Sequence, residues 1–351
     1  MFRTELLETV ARICEPEKGI LAADESSGTI GKRFESIGLE NTHKNRVNYR
    51  DLLFTTPGLH TNISGVITYE ETLFDIKSDG TQLIQPLLDN NIVVGIKVDK
   101  GVKPLYGTDG ETVTQGTDDL DVRCRKYYEA GARFAKWRSV LKIDTSKNQP
   151  SNLSILENAV TLARYASICI DNGLVPIVEP EILMDGTHTI QESHDISVKV
   201  LSAVYYQLIQ HNVDIDCTLL KPNMVRHGVS STQEIDCVDI AKYTISAFQS
   251  VIPVKMPGVV FLSGGMSEMD ASRALNEINK TEGQKPWRLT FSYGRALQSS
   301  VLKVWNGDPT NWVDAQKMLL LRARANGLAS IGMYENEVID NESLHEKDYV
   351  Y

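Results

Sequence analysis

The sequence has few cysteines, and their spacing matches no cysteine-based scaffold. The five cysteines (Cys14, Cys124, Cys169, Cys217 and Cys237) form no CxxC pair, and their number is odd. A disulfide framework and a zinc-finger site both need regular pairs of cysteines, so neither is expected. This pattern indicates a reducing compartment, and we expect a cytoplasmic protein.

Histidine patterns typical of metal sites are also absent. The seven histidines show neither HxH nor HExxH spacing, and none follows a predicted strand. His188 and His194 are six residues apart in a loop-like stretch, which is typical of ordinary surface histidines. The sequence therefore predicts no metal site, and we expect no cofactor.

Long apolar runs and an excess of basic charge are missing as well. No apolar stretch reaches the roughly 18 residues that a membrane span requires. The first 16 residues lack the apolar core of a signal peptide, and Leu6, Leu7, Val10 and Ile13 instead follow helical spacing. A net charge of −10, from 36 basic and 46 acidic residues, argues against binding nucleic acid or anionic membranes.

The chain does contain regularly alternating strand-like and helix-like segments. Its 351 residues would suffice for one large domain or two ordinary ones, and no Gly-, Ser- or Pro-rich linker divides them. Helix-like spacing of apolar residues occurs at 152–172, 192–210, 233–250 and 268–280. The strand-like runs are 19–23, 65–68, 92–96, 132–135, 174–178, 218–220, 259–262 and 289–293.

Eight strands, each followed by room for a helix, predict an α/β protein with the (β/α)8 or TIM-barrel fold. A doubly wound sheet is the structural alternative, but its first strand is usually followed by GxGxxG, whereas residues 24–28 read DESSG. We expect one barrel domain over 1–335, with its final helix at Trp312–Met333. The acidic residues 336–351, poor in apolar side chains, are predicted to form a mobile tail.

Polar residues recur at the predicted carboxyl ends of the strands. In a barrel, catalytic residues project from these ends, and phosphate sites favour the loops after strands 7 and 8. Each residue taken alone is compatible with ordinary surface charge, but their joint placement at one rim predicts an active site. In strand order they are Asp24, Lys97 and Asp99, Lys136 and Arg138, Glu179 and Glu181, Lys221, Ser263 with Gly264 and Gly265, and Gly294 with Arg295.

Lys221 directly follows a short apolar run, where an ammonium group is costly to bury. A neutral lysine can attack a ketone, and the resulting iminium accepts electrons when an adjacent C–C bond breaks. Lys136 would favour the neutral form by like-charge repulsion. Glu179 suits the general acid/base role, and Asp24 or Glu179 could take the hydroxyl proton. The alternative is a lysine whose stem packs on the core while its head reaches water.

Two groups of residues are suited to anions, which suggests a substrate that is phosphorylated at both ends. Small residues after strand 7 expose backbone N–H groups, and an arginine after strand 8 supplies a guanidinium fork. The first group is Ser263, Gly264, Gly294 and Arg295, and the second is Ser26, Thr29, Lys97 and Arg138.

Several blocks of the sequence resemble the class I fructose-bisphosphate aldolase family, from about residue 5 to the end. The TLLKPNMV block is highly specific, and the terminal Tyr351 matches as well. The matching blocks are GILAADES (19–26), GIKVDKG (95–101), AKWR (135–138), VPIVEPEIL (175–183), TLLKPNMV (218–225), FLSGG (261–265) and FSYGRALQ (291–298).

The resemblance implies a (β/α)8 barrel, usually a homotetramer, that cleaves fructose 1,6-bisphosphate to dihydroxyacetone phosphate and glyceraldehyde 3-phosphate. It makes Lys221 the Schiff-base lysine and Glu179 the main acid/base, with Asp24, Lys136 and Glu181 in the same site. It places the 1-phosphate on the first anion group and the 6-phosphate on the second. It gives Tyr351, on a mobile tail, a role in proton exchange on the enamine.

Two other functions remain open at this point. A different imine-forming barrel, resembling a transaldolase or a deoxyribose-phosphate aldolase, would need only one phosphate site. A non-enzymatic scaffold role, in which the positive mouth binds cytoskeletal or adhesin tails, could accompany catalysis.

Overall fold

The computed structural model describes residues 2–234, 236–335 and 342–349. Eight parallel strands close into a barrel in the order β1, β2, β3, β6, β7, β8, β9, β10, and β10 pairs back to β1. Strands β4 and β5 form a separate antiparallel hairpin. The strands are β1 Gly19–Ala23, β2 Ile63–Thr68, β3 Val93–Lys97, β4 Val102–Pro104, β5 Thr112–Thr114, β6 Phe134–Leu141, β7 Val175–Ile182, β8 Leu219–Leu220, β9 Gly258–Phe261 and β10 Arg288–Tyr293.

Helices fill the connections between the barrel strands, which confirms the predicted (β/α)8 fold. They are α1 Arg3–Ile13, α2 Ser27–Glu35, α3 His43–Phe54, α4 Glu70–Phe74, α5 Gln85–Asp89, α6 Leu120–Glu129, α7 Asn152–Asp171, α8 Ile190–Gln210, α9 Cys237–Val251, α10 Glu268–Lys280, α11 Arg295–Trp305 and α12 Trp312–Ala329. Single 3₁₀ turns occupy Leu59–Thr61, Thr145–Lys147, Ile215–Cys217 and Pro309–Asn311.

Helix α1 covers the amino-terminal end of the barrel. Its buried side chains Leu6, Val10 and Ile13 pack on inward-facing strand residues such as Phe134. Leu7, expected on the same face, is instead 36% exposed. With the amino-terminal end closed by apolar contacts, the carboxyl ends of the strands form the open mouth.

Strands β6 and β7 are longer than the sequence predicted. They pair without interruption from Phe134↔Val175 to Leu141↔Ile182, whereas the apolar runs predicted ends at 135 and 178. Alternation along a strand turns every second side chain into the barrel, so charged residues there can pair with one another. The residues expected just beyond the strand ends therefore lie within the strands.

Among the described residues, one helix, α7, is long and apolar enough to cross a membrane by length and composition alone. Half of its most apolar window is buried, and the helix packs against β6, β7 and α8. The same length and composition are common in core helices of globular proteins, and α7 has that position in the barrel.

Candidate active site

Four charged residues meet at the centre of the barrel mouth. The Glu179 carboxylate lies between two lysines, with Oε1 3.2 Å from Lys221 Nζ and Oε2 3.5 Å from Lys136 Nζ. Lys136 Nζ also lies 2.8 Å from Asp24 Oδ2. All four residues are buried, so each charge depends on its neighbours for compensation. The structure thus brings together four of the predicted catalytic residues.

Strand geometry explains this convergence. Lys136 and Glu179 lie within adjacent parallel strands, at positions that register as Lys136↔Ile177 and Arg138↔Glu179. Lys221 follows β8, and its N–H continues the ladder by donating to the Val178 carbonyl at 2.8 Å. Asp24 follows β1. Rigid strands therefore fix the backbone of every member, which limits the movement of the reacting groups.

The lysines keep Asp24 ionised. Burial works to raise the pKa of this carboxyl, but the positive charges of Lys136, Lys221 and Lys97 outweigh it and lower the pKa to about 2. Burial opposes ionisation of Glu181 as well, yet its contact with Arg138 holds its pKa below the ordinary value. Both groups are carboxylates at neutral pH, when they can accept protons but not donate them.

The first predicted anion group lines one cavity together with four of the predicted catalytic residues, Asp24, Glu179, Glu181 and Lys221. Gly264 adopts a left-handed backbone (φ +58°), which a side chain would strain, and Gly294 caps the amino end of α11. This helix end directs backbone N–H groups and positive dipole charge toward the cavity. The cavity is lined by Ala22, Asp24, Glu25, Arg33, Glu179, Glu181, Lys221, Leu262, Ser263, Gly264, Ser292, Gly294, Arg295 and Tyr349.

The second predicted anion group is not part of this cavity lining. The Ser26 and Thr29 hydroxyls lie 3.0 Å apart at the start of α2. Lys97 Nζ lies 2.7 Å from Asp99 Oδ1, and Arg138 pairs with Glu181. These side chains bond to protein partners, and their role as a phosphate site stays a prediction.

Among the lining residues that sequence reasoning missed are two charged residues, Glu25 and Arg33, and the aromatic Tyr349. Arg33 lies on the second turn of α2, nine residues after Asp24, and no strand-end rule points to it. Glu25 follows a predicted site residue directly, but its carboxylate faces Arg33 and Arg50. The only available signal for Arg33 was its place in the helix that follows the end of β1.

Residues 342–349, named here the tail segment, lie across the mouth. The Leu344 N–H donates to the Gly265 carbonyl at 3.0 Å, and the Asp348 N–H donates to Asp185 Oδ1 at 2.8 Å. Both contacts hold the segment to loops that follow barrel strands. The tail segment therefore covers part of the opening.

Tyr349, in the tail segment, contacts Arg138 and Arg295. Arg138 Nη2 donates to its carbonyl at 2.9 Å. The Arg295 and Arg138 guanidinium carbons lie 4.4 and 5.2 Å from its ring centroid, within cation–π range. Burial raises the pKa of the Tyr349 hydroxyl, so the ring stays neutral. Tyr351, predicted to act in catalysis, lies outside the described residues.

Two clusters in the described part of the chain have side chains close enough to share a metal ion, and both lie outside the cavity lining. One is His43, Glu71 and Asp75, and the other is Asp214, Asp216 and Cys217. Arg46 already binds Glu71 through two nitrogens at 2.7 Å, and Arg3 lies between the two aspartates of the second cluster. The arginines supply the positive charge in both places.

The fold and the site define a (β/α)8 protein with a buried lysine–carboxylate centre beside a rim formed by Ser263, Gly264, Gly294 and Arg295. The family model for "Fructose-bisphosphate aldolase class-I" matches residues 5–351. The fructose-bisphosphate aldolase of Dictyostelium discoideum is 53% identical over 354 residues, which cover 100% of this chain and 99% of the relative. Fructose-bisphosphate aldolase 1 of Toxoplasma gondii is 54% identical, over 99% of this chain and 96% of its own.

A solved structure is similar over nearly its whole length. It is fructose-bisphosphate aldolase from Plasmodium falciparum in complex with TRAP and a small-molecule inhibitor, with a TM-score of 0.94 and 52% identity over 95% of this chain and 96% of that one. The chain belongs to the class I fructose-bisphosphate aldolase family. The resemblance first seen in the motifs is thereby confirmed.

Proposed function

We propose that this protein cleaves fructose 1,6-bisphosphate reversibly to dihydroxyacetone phosphate and glyceraldehyde 3-phosphate through an imine at Lys221. The contact of Lys221 Nζ with Glu179 Oε1, at 3.2 Å, carries the proposal. It places an amine nucleophile and a proton carrier within hydrogen-bonding distance, as imine chemistry requires.

The first half of the reaction uses this pair. The neutral Lys221 amine attacks the ketone carbon of the open-chain sugar, and Glu179 delivers the proton with which the hydroxyl leaves as water. The product is an iminium ion, which withdraws electrons from the neighbouring carbon. Lys136 is held by Asp24 and Glu179. Its positive charge lies beside the reacting oxygen atoms of the sugar, where negative charge develops.

Cleavage then breaks the bond between the carbons α and β to the iminium. Its electron pair moves toward the imine nitrogen to form an enamine, while a carboxylate takes the β-hydroxyl proton. Asp24 and Glu179 are the two candidates for this carboxylate, and a pKa of about 2 makes Asp24 a weak base. Protonation of the enamine and hydrolysis of the imine release the triose phosphate and restore Lys221.

The anion rim positions the substrate for this step. Ser263, Gly264, Gly294 and Arg295 line the cavity together with Lys221, which suits one terminal phosphate. Arg33, on the same wall, adds a second guanidinium. We assign the other phosphate to Ser26, Thr29, Lys97 and Arg138, whose present contacts would have to rearrange to receive it.

Borohydride trapping tests this function. Reduction in the presence of dihydroxyacetone phosphate is expected to attach the triose to Lys221, and aldol cleavage is expected to persist in EDTA. Lys221→Ala should abolish labelling and lower cleavage on the order of 10³-fold or more while the fold is retained. A label on another lysine, or cleavage lost in EDTA, would contradict the mechanism.

We also propose a homotetramer in the cytoplasm. The cytoplasmic location is supported by a cytosolic aldolase of Arabidopsis thaliana that is 54% identical.

The subunit number is supported by large apolar side chains that stay exposed on this chain, including Tyr106, Leu156, Tyr206 and Ile209. Burial between subunits would remove them from water. Light scattering of the purified protein checks the subunit number, and a monomer at micromolar concentration would contradict it.

Binding of an acidic peptide at the mouth is a second candidate function, and it can coexist with catalysis. The relative from Plasmodium falciparum was solved in complex with TRAP. In this chain, Glu346 of the tail segment reaches Arg295 at 3.2 Å in a groove between α2 and α11. An acidic, aromatic peptide is expected to compete with fructose 1,6-bisphosphate, and purely non-competitive or absent inhibition would argue against it.

A further inference from the structure

A buried charge chain leads away from the cavity through Glu25. One oxygen of its carboxylate pairs with Arg33, and the other lies 2.5 Å from Arg50 Nη2. Glu25 is buried in the loop after β1, Arg33 lies on α2 and Arg50 is buried on α3. One carboxylate thus joins three consecutive elements, and only Arg33 and Glu25 reach the cavity.

The neutral side chains of Gln298 and Tyr49 hold the Glu25 end of this charge chain through hydrogen bonds. Gln298 Nε2, on α11, donates to the Ala22 carbonyl at 2.7 Å and lies 3.4 Å from Glu25 Oε1. Tyr49 donates to Gln298 Oε1 at 3.2 Å. Gln298 therefore ties the Glu25 carboxylate to the end of β1 and to the helix that carries Arg295.

The charge chain formed by Arg33, Glu25 and Arg50 carries two positive charges and one negative charge. The buried Arg50 and the partly buried Arg33 share one carboxylate, and such an arrangement is costly unless it serves geometry or a bound anion. Burial opposes ionisation of Glu25, but the two arginines hold its pKa below the ordinary value, so the carboxylate is present at neutral pH. Of the two arginines that share it, only Arg33 lies on the cavity wall.

We propose that Glu25, itself held by Arg50, is a positioning residue that fixes the Arg33 guanidinium for the substrate phosphate at the Ser263–Arg295 rim. An arginine held at one edge by a carboxylate keeps its remaining donors in a fixed plane, which suits a phosphate. Without that carboxylate, the long side chain gains rotamers that it must lose again on binding. The assignment rests on the proposed function for the identity of the anion.

Charge and geometry make opposite predictions for Glu25. If Glu25 only offsets positive charge, its neutralisation in Glu25→Gln strengthens phosphate binding. If it positions Arg33, the same change weakens binding even though the cavity becomes more positive. Glu25→Asp keeps the charge and shortens the reach by one methylene, so it isolates the geometric effect.

The experiment uses the full chain and two readouts. One is the dihydroxyacetone phosphate concentration that gives half-maximal borohydride labelling of Lys221, and the other is the affinity for inorganic phosphate by calorimetry. We expect Glu25→Asp and Arg33→Gln each to weaken both by about tenfold, which is the scale of one charge-assisted hydrogen bond. The maximal extent of labelling should not change, because the imine centre is intact.

A double-mutant cycle shows whether Glu25 acts through Arg33. In the Arg33→Gln background, Glu25→Asp should cause no further weakening beyond about twofold, the usual limit of additivity error. Equal weakening in both backgrounds, no weakening in either, or tighter binding by Glu25→Gln would overturn the inference. If Glu25→Gln does not fold, Glu25→Asp and the cycle decide alone.

Glu71→Asp is the matched control. Glu71 pairs with Arg46 on the same helix α3 that carries Arg50, and neither residue lines the cavity. Glu71→Asp should leave both readouts unchanged. A tenfold effect of Glu71→Asp would show that the effect of Glu25→Asp is only a general structural one. If wild type binds inorganic phosphate but is never labelled at Lys221, the proposed function fails, and the phosphate readout still tests Glu25.

Discussion

Lys221 Nζ lies 3.2 Å from Glu179 Oε1, and the other oxygen of the same carboxylate lies 3.5 Å from Lys136. One carboxylate therefore contacts both the proposed nucleophile and the lysine beside it. In the proposed mechanism, Glu179 exchanges protons with the Lys221 adducts across this contact. The arrangement accounts for three charged side chains buried in one place.

Glu179→Gln tests the proton transfer. The amide keeps the shape of the side chain but cannot exchange a proton, so kcat for aldol cleavage should fall by about 10²–10⁴-fold. Binding of dihydroxyacetone phosphate, measured by the protection it gives against proteolysis, should change far less. A variant with nearly wild-type kcat would assign the acid/base role to another residue, with Asp24 the first to examine.

The low pKa of Asp24 predicts a contribution to the free energy of unfolding that is lost in acid. Its pKa in the folded protein is about 2 against an ordinary value of 3.8, so the unfolded chain binds its proton at higher pH. The stabilisation is complete above the ordinary value and is lost as the pH falls toward 2. It amounts to about 2 kcal/mol, at 1.36 kcal/mol per pH unit.

Denaturant unfolding of wild type and Asp24→Asn between pH 6 and pH 2 measures this contribution. The wild-type advantage should shrink as the pH falls through the interval between the two pKa values. Parallel curves for the two proteins would show that the carboxyl titrates alike in both states, contrary to the lysine contacts described for Asp24.

Gly265→Ala should release the tail segment. Gly265 has φ +85°, and a Cβ there would lie 2.8 Å from the His345 Cα. Both backbone strain and this clash oppose the observed docking. Hydrogen exchange of the Leu344 N–H, which now donates to Gly265, should accelerate clearly.

Gly38→Ala separates strain from the clash. Gly38 also has a positive φ of 67°, but a Cβ there meets no atom within 4 Å. Both variants should lose about 1–2 kcal/mol of stability from the left-handed backbone, whereas only Gly265→Ala should expose Leu344. Unchanged exchange in Gly265→Ala would show that the tail segment is held without this contact.

Deleting Tyr351 tests the predicted role of the chain terminus. Turnover should slow while imine formation persists, because the proposed imine centre of Lys221 and Glu179 is intact. Borohydride labelling of Lys221, measured together with the exchange of enamine protons into solvent, separates the two steps. Loss of labelling would contradict the prediction, as would full turnover in the truncated chain.

Much of the barrel could be predicted because strand identity depends on local patterns. The first strand was predicted at 19–23 and is observed at the same residues. Strands β6 and β7 were predicted too short because their outer halves carry Lys136, Arg138, Glu179 and Glu181, which resemble a polar loop in sequence. Only pairing across the barrel shows that these side chains point inward and neutralise one another.

The sequence alone determined the eight-unit order, the family motifs and the candidate residues at the strand ends, since these follow from local composition and spacing. The contacts between them were decided by the closed barrel. It joins side chains within or just after β1, β6, β7 and β8 through contacts of 2.8, 3.5 and 3.2 Å, a proximity that separation along the chain hides. The Glu25–Arg33–Arg50 chain and the place of Tyr349 among the arginines likewise exist only after packing, because each joins elements that no local pattern relates.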